Sequence, residues 1–367
     1  MPTRQDMQAG IYNPGPVILH RPVDERALLP AQARSTEEYP LTEAEEDKDA
    51  IIRVATFHRK EYDIALITIG AWSSSKIRLL FRDTFPSTPA ASLGSLDREL
   101  PTEMLCAVIR YLDLSSMLRF RQVNRRARQL ATAMPEYQVV TKYAMDALLA
   151  LHKTLLAADF TLTDIRTALT TENCRFCGEF GGFVSLLGFQ RCCFPCLQLA
   201  PELTVYLARN RNTKRLRDAL VLRSLPGRYG LVETLVTKRS WLTATKPSNA
   251  SRPSNYDRML TGMALPHVDF GPREPRVEPG VCCNGCQVSI EKDELMRGDV
   301  EGYGIRQLRD RAYSREGYLG HFRWCREAQA LWKASHGGTV PVRIPDEATW
   351  GRRLGFQRDN DLDSDDE

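Results

Sequence analysis

The chain has 367 residues, 43% hydrophobic and 26% charged, enough length and apolar content for more than one globular core. Its 50 basic side chains stand against 46 acidic ones, and a net charge of +4 lacks the clustered excess of a dedicated nucleic-acid binder. No stretch approaches the ~18 uninterrupted apolar residues of a bilayer span, and prolines and charges occupy the start, where a secretory leader needs an apolar run. The expectation is a chain of the cytoplasm or nucleus, in a reducing compartment where its ten cysteines point to metal rather than disulfides.

Residues 1 to about 50 lack sustained periodicity and include the acidic run Glu43–Asp49, which predicts disorder. Residues 51–90 are ambiguous: IIRVATFHRKEYDIALITIGAW can contain short strands but has no clear partner nearby. FPSTPAAS (Phe85–Ser92) reads as a linker. From Leu93 the pattern changes. Pro101 can occupy a first helical turn, and Met104, Leu105, Val108, Ile109 and Leu112 follow at helical spacing. Asp113 or Ser115 can cap a second helix carrying Met117, Leu118 and Phe120, and Asn124 a third over RRARQLA. A longer helix is predicted over Tyr137–Ala158 and another over Thr161–Leu169, capped by Thr163.

The segment Cys174–Cys196 then gathers half of the cysteines. Cys174-x2-Cys177 and Cys193-x2-Cys196 are separated by 15 intervening residues. Each pair can form a tight knuckle, and two knuckles supply the four tetrahedral ligands zinc takes. Gly178 suits a turn needing positive φ, and FGGFVSLLGF has the content of a short hairpin. Either Cys192 or Cys193 can pair with Cys196; the two-residue gap favours Cys193, leaving Cys192 as a small buried hydrophobe. A second set comprises Cys283-x2-Cys286 and His321-x3-Cys325, the latter pair four apart on a final long helix over Ser314–Ser335. Cys282 repeats the ambiguity of Cys192. The gaps are too wide for the interleaved sites of a RING, and two full ligand sets leave no open catalytic position, so two structural zinc ions are expected. Residues 246–280, rich in Pro, Ser and Gly, read as loop; Ala208–Asp218 is basic; the tail 351–367 is acidic, with Ser364 in its midst. Cys106 reads as packing.

The segment around residues 91–136 resembles an F-box, the module that attaches substrate adaptors to the Skp subunit of cullin–RING ubiquitin ligases. The resemblance rests on Leu96, Leu100-Pro101, Glu103, Leu105, Ile109, Leu112, Asp113-Leu114, Leu118, Val123-Asn124 and Arg128. It implies Skp contacts from Leu96, Leu100, Pro101, Glu103, Leu105, Ile109, Leu112, Leu114, Leu118 and Val123. Three helices in about 40 residues are also too few to bury both faces of the apolar stripe themselves. The order F-box, helix, first knuckle pair, late CxxC and YLGHFRWCREAQALW is similar to filamentous-fungal F-box proteins with a cysteine-rich region, over roughly residues 93–336. That likeness implies a non-catalytic adaptor presenting an unspecified protein for ubiquitylation. Two other readings stay open: a zinc-dependent nucleic-acid-binding or regulatory protein, and an F-box protein acting outside a ligase. The expected architecture is mainly α: disordered or uncertain residues 1–90, a three-helix F-box over 91–136, a helical and zinc-stabilised mixed α+β region over 137–350 that binds substrate, and the acidic tail.

Overall fold

The computed structural model describes residues 25–57, 81, 92–154, 156–203, 206–207, 242–243, 261–271, 274–292 and 300–342. It opens with α1 (Glu25–Leu28), α2 (Glu45–Ala55) and β1 (Thr56–Phe57). This corrects the expectation of disorder as far as residues 25–50 are concerned; of the ambiguous stretch from residue 51, residues 51–55 complete α2 and β1 is a short strand. The acidic run supplies Glu45, Glu46 and Asp47 to the first turn of α2, where carboxylates complement the helix dipole. Ala50, Ile51 and Ala55 then form its buried stripe. What reads as part of a disordered segment is a helix start.

Four short helices follow: α3 (Ser95–Glu99), α4 (Thr102–Arg110), α5 (Leu114–Arg121) and α6 (Arg125–Ala133). Pro101 stays extended at the N-cap of α4, a position where its missing N–H is no loss. The Asp113 carboxylate caps α5 by accepting from the Ser116 N–H at 2.9 Å, and the Asn124 side-chain oxygen caps α6 by accepting from the Ala127 N–H at 2.9 Å. The helix expected over 137–158 is two helices, α7 (Pro135–Tyr143) and α8 (Met145–Lys153), broken at Ala144, with φ −131° and ψ 27°. The break turns α8, buried nearly all round, into the interior. α9 (Leu162–Thr170) is capped by Thr161 rather than Thr163, because Thr161 and Asp164 form a reciprocal capping box.

The remaining strands are short. β2 (Phe183–Ser185) and β3 (Gln190–Cys192) form the expected hairpin, followed by α10 (Phe194–Leu199). β4 (Tyr206–Leu207) pairs with β5 (Leu242–Thr243). β6 (Gly262–Ala264) adds to β2, and β7 (His267–Asp269) pairs with β8 (Arg276–Glu278). These last three correct the loop expected over 246–280; three-residue strands carry too little alternation to stand out in a Pro- and Ser-rich stretch. β9 (Cys282–Cys283) finds its partner in β1, far away in sequence. The chain closes on α11 (Asn284–Lys292), α12 (Val300–Arg309), α13 (Arg315–Phe322) and α14 (Arg326–Ala334). The basic stretch Ala208–Asp218 and the tail with Ser364 lie outside the described residues.

Among the described residues the apolar side chains gather into three cores. The first runs without a break from Leu105, Ile109, Leu114 and Met117, through Tyr137, Leu148 and Ile165, to Val184 and Met263. α4, α5 and α6 therefore share one interior with α7–α9 and the hairpin, while α3 buries no residue. The second core surrounds Cys174, Cys193 and Cys196, and the third surrounds Cys283, Cys286 and Cys325. Strands partition them, because neighbouring side chains point to opposite faces. Phe183 belongs to the second core and Val184 to the first; Cys282 belongs to the second and Cys283 to the third.

Candidate metal centres and an exposed helix face

Cys174 and Cys177 form a knuckle closed by backbone bonds. Gly178 N–H donates to Cys174 O at 2.9 Å, Cys174 N–H donates to Glu179 O at 2.6 Å, and the Phe176 N–H points at Cys174 Sγ at 3.4 Å. Gly178 adopts φ +79°, the left-handed turn expected of it. The second pair arrives at the step from β3 to α10: Cys193 is the N-cap, and its sulfur accepts from the Cys196 N–H at 3.5 Å. The Sγ atoms of Cys177 and Cys193 lie 3.5 Å apart, and all four sulfurs fall within 4.8 Å of one another. That sulfur separation is far beyond the ~2.05 Å of a disulfide. The thiols of Cys177, Cys193 and Cys196 donate toward Cys174 and hold its pKa far below the usual thiol range.

Arg191 fixes this hairpin in place. Its buried guanidinium donates to the backbone oxygens of Ala168 at 2.7 Å, Leu265 at 3.1 Å, Pro266 at 2.8 Å, and Gly181. Burial lowers its pKa to about 10. A Cβ on Gly181 would meet Arg191 Cγ at 2.6 Å, so this site takes glycine. Sequence reasoning gave Arg191 no role, and nothing in its neighbours marks it.

The second centre repeats the strand-to-helix step. Cys283 ends β9, and its sulfur accepts from the Cys286 N–H at 3.4 Å in the first turn of α11. Cys325 Sγ lies 3.8 Å from Cys283 Sγ, and His321 Nε2 lies 3.3 Å from Cys286 Sγ. All four ligand atoms are within 4.8 Å of one another and all four residues are buried. One helix does not present His321 and Cys325, as the sequence suggests. The chain turns between them, so that His321 sits in the last turn of α13 and Cys325 at the N-cap of α14. The His321 ring is set from outside: Tyr313 stacks on it at 5.0 Å, with its hydroxyl 3.5 Å from Nδ1. This leaves Nε2 turned to the sulfurs, the division of ring nitrogens typical of a metal-binding histidine. Burial works against ionisation of Cys283, but hydrogen bonds from Cys286 and Cys325 and the nearby His321 outweigh it and lower its pKa.

Both donor sets, four sulfurs and three sulfurs with one imidazole nitrogen, suit a tetrahedral ion that favours soft ligands. Both clusters can hold a metal. Cys192 and Cys282 stand outside them, each buried in the second core, and burial pushes the Cys192 thiol upward. Cys106 is half-buried against the first core.

The third feature is α4, which is apolar on two sides. Leu105 and Ile109 point into the first core, while Met104, Val108 and the following Tyr111 are 52%, 53% and 88% exposed. Leu96 and Val123 are also exposed, at 47% and 67%, and so is Pro101. Of the expected contact set, Leu105, Ile109 and Leu114 are interior residues of this chain, 6%, 3% and 0% exposed. Leu100, Leu112 and Leu118 are half-buried against the same core, and Glu103 is exposed. Met104, Val108 and Tyr111 form the outward face instead; their i, i+4, i+7 spacing was present in the sequence beside the inward stripe.

No curated protein and no solved structure matches the chain. One family model does, described as the F-box domain, and it covers residues 98–138. Residues 98–138, which contain α4, α5 and α6 with their caps and two-sided first helix, are an F-box domain.

Proposed function

We propose that this chain is a substrate adaptor of a cullin–RING (SCF-type) ubiquitin ligase. It docks to the Skp subunit through the outer face of α4, presents an unidentified protein from the region after the F-box, and contributes no bond-making of its own. Zinc closes both clusters as a structural ion. The carrying observation is the helix with two apolar faces. One face already fills the chain's own core, and a second row of Met104, Val108 and Tyr111 in water argues for a protein cover. Covering a side chain of that size contributes roughly 1.5–3 kcal/mol, so three or four anchors offset the ordering cost of association. An F-box fits an SCF-type adaptor role in general. We divide the labour as docking over 91–136 and substrate holding over 137–350, although the two share a core. That shared interior suits an adaptor, because a substrate held rigidly near a charged conjugating enzyme has a high effective concentration. The test is co-purification with a Skp subunit. Met104→Asp with Val108→Asp should weaken capture by at least ~100-fold, or about 2.7 kcal/mol, while both metals remain bound. Unchanged capture by that variant would remove the proposal.

A further inference from the structure

We propose that the second metal centre clamps the N-terminal segment onto α11–α14, so that occupancy of the Cys283, Cys286, His321 and Cys325 set and docking of residues 25–57 are one coupled event. The inference rests on the metal reading above and goes beyond it.

The segment cannot hold its own structure. α1 has 4 residues and α2 has 11, short of the ~12–15 at which isolated helices become even marginal. Its order comes from contact, and the contacts converge on the ligands. β1 pairs with β9 so that Thr56 lies opposite Cys283. Asn284, the next residue, donates its side-chain N–H to Thr56 O at 3.0 Å. Tyr318, one turn before His321, donates its hydroxyl to Ala55 O at 2.7 Å. On the far side, Arg34 forms a backbone bridge with Cys325, and the Arg326 N–H donates to Ala33 O at 3.0 Å. Leu29, Ala33, Ile51 and Ala55 bury their side chains in the same core as the three sulfurs. A Cβ on Gly304 in α12 would lie 2.5 Å from the Leu28 carbonyl oxygen, which shows how closely α12 meets the segment.

The segment thus grips the backbone at residue 283 and again at residue 325, the two positions whose sulfurs lie 3.8 Å apart. Without an ion, thiols at that distance offer each other only weak hydrogen bonds. With an ion, β9 and the start of α14 are held in fixed relation, and the surface the segment needs is preformed. Binding to one state and not the other stabilises it, and the coupling is reciprocal: the docked segment must tighten the metal as much as the metal tightens the segment. In chain order the F-box lies between the two halves of this unit, so the ion governs the chain on both sides of the docking module.

Metal content decides the matter in full-length protein. Wild type should carry two zinc ions per chain, one for each cluster. Ile51→Asp and Gly304→Val, which change no ligand, should each lose one ion, and adding Cys177→Ser should remove the other. Two ions retained in both variants would overturn the coupling. Wild type without zinc would sink the metal reading itself and the coupling with it. Should a variant lose both ions through general unfolding, an otherwise wild-type chain with a specific protease sequence inserted between residues 58 and 80 gives a second measurement. After cleavage, the N-terminal piece should co-elute with the remainder while zinc is bound and separate once a chelator removes it. Release with zinc in place, or retention after its removal, would contradict the proposal.

Discussion

The two candidate metal centres use the same local device and different topologies. In each, a cysteine at a strand-to-helix step receives the N–H three residues on, and a second pair completes the set of four donors. The first centre completes itself nearby: Cys177 and Cys193 are 16 residues apart, and knuckle, hairpin and helix follow one another. The second joins Cys283 to Cys325 across 42 residues, and part of its wall comes from Ala55, 263 residues from Tyr318. The lesson is that ligand spacing tells how a site is held but not what encloses it. A local site depends on its own hairpin; a distributed one depends on whichever segment pairs with its strand.

Removing a ligand should have the largest effect. Structural zinc in finger peptides is worth on the order of 10–16 kcal/mol, so Cys177→Ser should lose the native fold around the hairpin, read as a lost thermal transition. His321→Ala should in addition free residues 25–57 to proteolysis, a signature absent from the first-site variant. Equal protease patterns for the two variants would erase the distinction drawn here. Next comes Arg191→Met. It leaves four backbone oxygens without their shared donor, a loss of roughly 3 kcal/mol or more by denaturant titration, and should loosen the first centre while sparing the second. Gly285→Ala probes the second centre alone: its Cβ would sit 2.3 Å from the Ala328 N, so α11 and α14 must separate, at about 1–3 kcal/mol. The smallest effect belongs to the spare thiols. Cys192→Ala and Cys282→Ala should each lower stability by about 1 kcal/mol with metal content unchanged, whereas Cys193→Ala and Cys283→Ala should lose an ion; the reverse pattern would exchange the ligands.

Legibility in the sequence follows the same division. The caps at Asp113 and Asn124, the hairpin and the positive φ of Gly178 are local events, and local residues announced them. The eight residues that the spacing groups into ligand sets also meet in space. What stayed hidden depended on distant contact. β1 has no visible partner until β9 is placed against it, and the acidic start of α2 reads as disordered until Arg315 is seen 2.6 Å from Glu45 and 2.8 Å from Asp49. The outward face of α4 was concealed differently. Two apolar stripes on one helix give a single continuous pattern, and only burial separates Leu105 and Ile109 from Met104 and Val108.

Native mass spectrometry of the full-length chain mixed with a Skp subunit tests the central claim most directly. The account predicts a one-to-one complex whose mass includes two zinc ions, with the ions retained and the complex lost when Met104 and Val108 are replaced by aspartate. A metal-free chain that stays alone in the presence of that subunit would contradict it.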